Sequence, residues 1–262
     1  MMLSIELVPR EIGPWLQQAR EFAARFDQFG WLNIPDIRTL PVRSDEAAEA
    51  GLDLPYRLVP HVRARDRSPA ESVALLQRLE RAGLRDALIV TGDRYDQSAD
   101  GGHATSLDVL RAAKEAGVGL TLWAAFDPYR GEMRAELEYA RAKLEAGAAG
   151  LFTQPFFDAR LAEICLEQLS GIPTFVGITP VTTERSRAYW ERTNRVVFPP
   201  RFQATMEYCA ALGRNLLDIA SAHGQHAYVM PIRVDAVLYV DALLSGWTSP
   251  RAAAPPAAPS SG

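Results

Sequence analysis

A glutamate inside an apolar run is where the chemistry of this chain begins. Glu6 lies within Leu3-Ser4-Ile5-Glu6-Leu7-Val8-Pro9, and carboxylates seldom enter such runs without a partner, because burying the charge alone is costly. Burial raises a carboxyl's pKa and keeps it protonated near neutral pH, where it can donate that proton. A structural ion pair with an inward Arg or Lys is the other reading of the same residue. Further reactive types stand at or just past the ends of later apolar runs: His61, Gly92, Asp93, Asp127, Tyr129, Gln154 and Arg233. Acid, amide and aromatic groups gathered in one place suit a bound cofactor or a heterocyclic substrate. His61 has no His or Cys near it at metal-ligand spacing, and no Ser or Cys sits in a nucleophile elbow, so neither a metal site nor that kind of nucleophile is expected. Taken singly, each residue also has a plain structural reading: His61 as a satisfied strand-end histidine, Asp93 as a turn cap, Gln154 as an internal hydrogen-bonding group, Lys143 as a solvated helix residue and Arg233 as a strand-end cap.

These residues need a scaffold that brings them together. Strand-like runs at Leu3–Pro9, Trp31–Pro35, Tyr56–Val62, Ala87–Thr91, Leu120–Phe126, Gly150–Gln154, Thr174–Pro180 and Ala227–Ile232 alternate with helical spacing. The helices are expected over Glu11–Asp27, Ser44–Ala50 with Ser44 as its cap, Ser68 to Gly83, Ser106–Ala116, Glu132–Ala146, Ala159–Leu169, Thr183–Thr193, Pro200–Ala222 and Val234–Leu244. Ser68-Pro69-Ala70-Glu71 carries a cap, a first-turn proline and a capping-box glutamate. Strict alternation implies a parallel sheet, and eight units over about 250 residues match a closed (β/α)8 TIM barrel. An open doubly wound sheet would place a glycine-rich turn after its first strand; Pro9-Arg10-Glu11-Ile12-Gly13 stands there instead. In a barrel the chemistry belongs at the C-terminal strand ends, which is where the residues above fall. His103, His223 and His226 read as surface or loop residues, and Trp15 and Trp31 as packing.

Composition sets the outer limits. The chain has 262 residues, 48% hydrophobic and 23% charged, with a net charge of -4, so nothing suggests a nucleic-acid footprint. Two scattered cysteines, Cys165 and Cys209, favour a reducing compartment such as the cytoplasm over a disulfide framework. The first residues lack a secretory signal pattern, and no run is long enough to span a membrane. A single barrel domain is expected over 1–248, followed by a disordered Pro/Ala/Ser-rich tail over 249–262.

Several of these segments, in their order, resemble the 5,10-methylenetetrahydrofolate reductase family. Ser4-Ile5-Glu6-Leu7-Val8-Pro9 is similar to its opening Phe-Glu-Phe-X-Pro strand; Pro60-His61 and Thr91-Gly92-Asp93 also fit. Lys143-Leu144-Glu145-Ala146-Gly147-Ala148, with Thr153-Gln154-Pro155-Phe156-Phe157-Asp158 after it, resembles the family's Lys-X-X-Ala-Gly-Ala helix end and Thr-Gln-Phe-Phe-Phe-Asp strand. Gly177-Ile178-Thr179-Pro180-Val181 resembles its Gly-Ile-X-Pro-Val strand, and the likeness runs with gaps from about residue 3 to 246. The resemblance implies an eight-stranded barrel that reduces methylenetetrahydrofolate to methyltetrahydrofolate, with NAD(P)H reducing FAD and FAD reducing the folate. By position it assigns Glu6 as the acid that opens the methylene bridge, Asp93 as the carboxylate beside pterin and flavin, and Gln154 as a substrate hydrogen-bonder. Tyr189 and Arg233 would contact substrate, and His61, Gly92, Ala124, Phe126 and Lys143 would line the flavin. It also implies a role in one-carbon metabolism and self-association.

The chain departs from the family at several points. Thr91 stands where the family has Arg, Phe126 where it has Tyr, Pro35 where it has Thr, and Tyr139 and Ala142 where Asn and Arg would hold FAD; a tyrosine after the fourth strand has no clear counterpart near Thr105. Each lost charge-assisted bond is worth about 1.5–3 kcal/mol, unless Arg130, Arg134 or Arg141 compensates. The alternatives are therefore direct hydride transfer from NAD(P)H without flavin, or a folate-binding barrel without redox chemistry. A different flavin barrel of the proline-dehydrogenase kind is a third reading.

Overall fold

The computed structural model describes residues 1–92 and 104–248. Eight strands, β1 (Leu3–Glu6), β2 (Phe29–Ile34), β3 (Arg57–Arg63), β4 (Asp86–Val90), β5 (Thr121–Phe126), β6 (Gly150–Pro155), β7 (Thr174–Ile178) and β8 (His226–Val229), pair in parallel in chain order. β8 pairs with β1, with Ser4 opposite Tyr228, and closes the cylinder. The helices among the described residues are α1 (Ile12–Arg25), α2 (Ser44–Ala50), α3 (Pro69–Arg81), α4 (Ser106–Glu115), α5 (Met133–Glu145), α6 (Ala159–Gln168), α7 (Glu184–Asn194), α8 (Met206–Ala222) and α9 (Ala236–Leu244), with a short 3-10 turn at Ala64–Asp66. The barrel inferred from strand–helix alternation is the observed fold. Asp93, His103 and the tail over 249–262 lie outside the described residues.

Each strand is buried on both faces, which is why its sequence is apolar almost throughout. Ile5, Leu32, Ile89, Leu122, Ala124, Phe126 and Val176 face outward and pack under the helices. Trp31, Val59, Leu88, Trp123, Phe152, Phe175, Tyr228 and Met230 face inward and fill the cylinder. Phe152 and Phe175 stack with centroids 4.2 Å apart, and Trp123 meets both edge-on. At the N-terminal end, Arg57 pairs with buried Asp86, Trp123 Nε1 donates to Asp86 Oδ1 at 2.9 Å, and the Arg57 guanidinium lies 4.4 Å from the Trp31 ring. Aromatic rings and this ion pair plug the barrel below, so polar side chains higher on the strands can open only towards the C-terminal mouth.

Local signals explain most boundaries. Ser68 Oγ accepts from Glu71 N at 3.2 Å while Glu71 accepts from Ser68 N at 2.8 Å, the reciprocal cap expected at the start of α3. α3, α4 and α5 run out just before Gly83, Gly117 and Gly147, all at positive φ. Three expectations need correction. Ser44 is the first helical residue of α2 rather than its cap; Arg43 precedes the helix, and its N–H is taken by Glu46 at 3.2 Å. α8 begins at Met206, not near Pro200, because Thr205 caps it and the segment before it turns Phe198 and Phe202 into an aromatic cluster with Phe157 and Trp190. His226 is the first residue of β8 rather than part of a loop, and its Nδ1 accepts from Met2 N at 3.4 Å. Cys165 and Cys209 are free, buried thiols. Among the described residues no helix is long and apolar enough to cross a membrane.

Candidate active site

The upper ends of β1, β2, β3 and β8 hold a compact polar group. Glu6 ends β1, pairs in register with Asn33 of β2, and is partly open to solvent. Its Oε2 accepts a hydrogen bond from the Tyr228 hydroxyl of β8. Asn33, fully buried, donates from Nδ2 to Ser4 Oγ at 2.7 Å, and its Oδ1 lies 2.9 Å from His61 Nε2. The strands thus set Glu6, Asn33 and His61 side by side around one arc of the mouth, with Tyr228 closing it from the last strand.

Burial dominates the electrostatics here. Desolvation lifts the Glu6 carboxyl from its ordinary 4.5 to about 7, opposed by the Tyr228 hydrogen bond, which favours the ionised form. Desolvation holds His61 down to about 3, so its imidazole is neutral. The Tyr228 hydroxyl is pushed far above its usual range by burial first and by Glu6 second, so it remains a donor. The result is an acid protonated to about pH 7 and a neutral ring at the mouth, with the Asn33 amide buried between Ser4 and His61. That set can give a proton to a weakly basic nitrogen and hydrogen-bond a neutral heterocycle. Among the described residues no three His, Cys, Asp or Glu side chains are grouped to hold a metal ion.

The opposite side of the mouth is shaped by β6 and β7. Their pairing slips between Phe152 and Pro155. Thr153 Oγ1 accepts from Gly177 N at 2.8 Å, and a Cβ on Gly177 would sit 2.6 Å from the Thr153 carbonyl oxygen and 2.8 Å from the Gln154 carbonyl carbon. Only glycine permits that approach. Gln154 ends up beside the irregularity, partly exposed, its side-chain amide without a hydrogen bond among the described residues. Arg233, in the turn after β8, has a left-handed φ of 59° and lies 5.2 Å from the ring of Tyr189 on α7. The two residues expected at the distal part of a substrate therefore meet each other.

The positions expected to line a flavin divide. His61 and Gly92 are near the mouth. Gly92 has φ 85°, and a Cβ there would press within 3.0 Å of the Arg63 guanidinium, so the residue following Thr91 lies against a cation supplied by β3. Asp93 is outside the described residues. Ala124 and Phe126 do not face the mouth: both are fully buried on the outer face of β5, beneath the helices, because alternation from inward Trp123 turns them outward. Lys143 is not a solvated helix residue. It is 2% exposed, its Nζ donates to the Ala125 carbonyl at 2.6 Å, and it pairs with buried Glu136 at 3.8 Å. Burial lowers it from 10.5 to about 8, with Glu136 opposing. Tyr139 lies between two cations, Lys143 Nζ at 4.0 Å and the Arg130 guanidinium at 4.4 Å. Of the three possible replacements for the lost phosphate partners, Arg130 is bound to Glu136, Arg134 to Glu138 on an exposed helix face, and Arg141 is exposed on α5. The two cations nearest β5 fit FAD phosphates poorly: Lys143 and Arg130 are already engaged by Glu136, the Ala125 carbonyl and the Tyr139 ring, while Arg134 and Arg141 stand on the exposed face of α5.

Reading the sequence missed Tyr228, Asn33 and Arg63. Tyr228 and Asn33 were hidden because a buried parallel strand shows no inside–outside alternation. The one available signal for Tyr228 was a hydrogen-bonding tip two residues before Met230, between apolar Ala227 and Val229.

Comparison with known proteins bears on the family and the fold. The family model of methylenetetrahydrofolate reductase matches residues 42–215, a span that includes His61, Gln154 and Tyr189 but neither Glu6 nor Arg233. A probable methylenetetrahydrofolate reductase (NADPH) of Caenorhabditis elegans is 25% identical over 187 residues. That match spans 62% of this chain and 28% of the length of the worm protein. Among solved structures, 2,3-dimethylmalate lyase, a PEP mutase/isocitrate lyase superfamily member, superposes with a TM-score of 0.59 at 13% identity, covering 94% of this chain and 79% of that one. Oxaloacetate acetylhydrolase gives 0.58 at 15%, covering 92% and 78%. At such identities the likeness concerns the barrel alone.

Proposed function

Because the chain belongs to the methylenetetrahydrofolate reductase family, we propose that it reduces 5,10-methylenetetrahydrofolate to 5-methyltetrahydrofolate with hydride from NAD(P)H. The observation that carries this reading is Glu6: an acid at the barrel mouth whose carboxyl stays protonated to about pH 7. Its proton would pass to the folate N10, the bond from N10 to the bridging carbon would break, and a cationic iminium would form at N5. Hydride added to that carbon gives the methyl group, and water restores the proton to Glu6. Gln154, with its free amide at the far side of the mouth, supports a role in orienting the pterin, and neutral His61 adds a polar ring without adding charge. Tyr189 and Arg233 are suited to the substrate's distal part.

FAD is the group the family generally implies. When bound it would relay the hydride in two steps, but the cations beside β5, Lys143 and Arg130, are already engaged by Glu136, the Ala125 carbonyl and the Tyr139 ring. We therefore favour transfer directly from the nicotinamide to the folate. The test is an absorbance spectrum of the purified protein, before and after FAD is added, together with NAD(P)H oxidation by methylenetetrahydrofolate. Colourless protein that oxidises NAD(P)H supports direct transfer. Bound flavin overturns that part, and no oxidation in either state overturns the reductase and leaves a folate-binding barrel. Glu6→Gln should slow turnover by about 10²-fold with the fold intact.

A further inference from the structure

We propose that Tyr228 is a positioning residue for the Glu6 acid: its hydroxyl holds Oε2, so that the proton given to the ligand leaves from Oε1. This rests on the reductase reading above. Tyr228 is 4% exposed, and its ring meets Phe152 edge-on at 5.2 Å, which fixes where the hydroxyl can reach. It stands opposite Ser4 across the β8–β1 seam, and from there its O–H points one step up the barrel to Glu6 Oε2. Glu6 Oε1 has no hydrogen bond among the described residues, on a side chain partly open to solvent. An O–H donor needs a lone pair, and the carbonyl oxygen of a carboxylic acid accepts better than its hydroxyl oxygen. Tyr228 on Oε2 therefore leaves the acid proton on Oε1, the free oxygen.

The same contact tunes the acid. From β8 the titratable group facing Glu6 is Tyr228; from β2 the facing residue is uncharged Asn33, with neutral His61 of β3 behind it. His226, at the other end of β8, is occupied with Met2 N. No charged side chain among the described residues acts on Glu6. Among the described residues the Tyr228 hydroxyl is thus the polar group that favours the carboxylate against burial, and removing it should make Glu6 a weaker acid.

Tyr228→Phe keeps the ring and its packing, so it should fold. The protonated carboxyl stretch of Glu6 can be titrated by difference infrared spectroscopy, with Glu6→Gln identifying the band. This readout needs no turnover. In Tyr228→Phe the midpoint should rise by about one to two pH units, the alkaline limb of kcat should move up with it, and KM for the folate should change little. An unmoved infrared midpoint overturns the pairing. A moved midpoint with an unmoved alkaline limb overturns the positioning role. A wild-type protein that reduces no folate overturns the reductase reading instead, and the infrared midpoint then reports the pair by itself.

Discussion

Glu6 should make the protein lose stability as the pH rises, the reverse of what most native carboxylates do. An Asp or Glu held in a salt bridge has a lowered pKa and stabilises the fold above it. Glu6 is raised from 4.5 to about 7 by burial. Below pH 4.5 both folded and unfolded chains carry the proton, and the residue is neutral in its effect. Between 4.5 and 7 the unfolded chain sheds the proton while the folded chain keeps it, so unfolding gains. Above 7 the loss is complete. Two and a half units at 1.36 kcal/mol each give about 3 kcal/mol. Glu6→Gln has nearly the same shape, can still accept from Tyr228, and has no charge to lose. Urea unfolding of both proteins between pH 4 and 9 isolates the effect, since every other titrating group cancels in the difference. The variant should match the wild type at pH 4 and exceed it by about 3 kcal/mol at pH 9, or about 6–12 °C in Tm for a chain of this size. A difference that stays flat with pH would show that Glu6 is solvated and that the acid assignment fails.

Three other perturbations test the surrounding frame. Lys143→Met removes the donor to the Ala125 carbonyl and one partner of buried Glu136; it should cost about 2–4 kcal/mol in thermal unfolding, and a loss under 0.5 kcal/mol would mean the lysine is solvated after all. Gly177→Ala forces a methyl against the β6 backbone; denaturant unfolding should show a loss of about 1–3 kcal/mol, together with a higher KM if Gln154 serves the substrate. Arg233→Gly relieves a left-handed φ and should stabilise by about 1 kcal/mol while raising KM for the folate about tenfold at nearly constant kcat; an unchanged KM would remove Arg233 from the binding surface.

The barrel was legible because eight apolar runs alternated with amphipathic helices punctuated at Gly83, Gly117 and Gly147, each of which proves to take a positive φ after its helix. Glu6 was legible for a different reason: a carboxylate in hydrocarbon violates the local pattern. The facing of Ala124 and Phe126 was not legible, since both sides of β5 are buried and hydrophobicity cannot tell the cylinder's interior from its exterior. Nor was Lys143, whose position on an amphipathic helix gave no hint that Glu136, seven residues earlier, and a strand carbonyl would draw it inward. The link from Tyr228 to Glu6 spans 222 positions, and no local window contains it. The late start of α8 was not legible either, since Phe198 and Phe202, in the segment before Thr205, pack against Phe157 from far away in sequence.

The seam between β8 and β1 has a consequence for how the molecule comes into being. The proton donor leaves the ribosome 222 positions ahead of its hydroxyl partner, so a partly made chain has the carboxyl but not the environment that arms it. Competence arrives only when the two ends of the ring meet, in the same event that completes the cylinder's hydrogen-bonded wall. Loosening that junction should therefore abolish proton delivery before it disturbs the aromatic filling deeper inside.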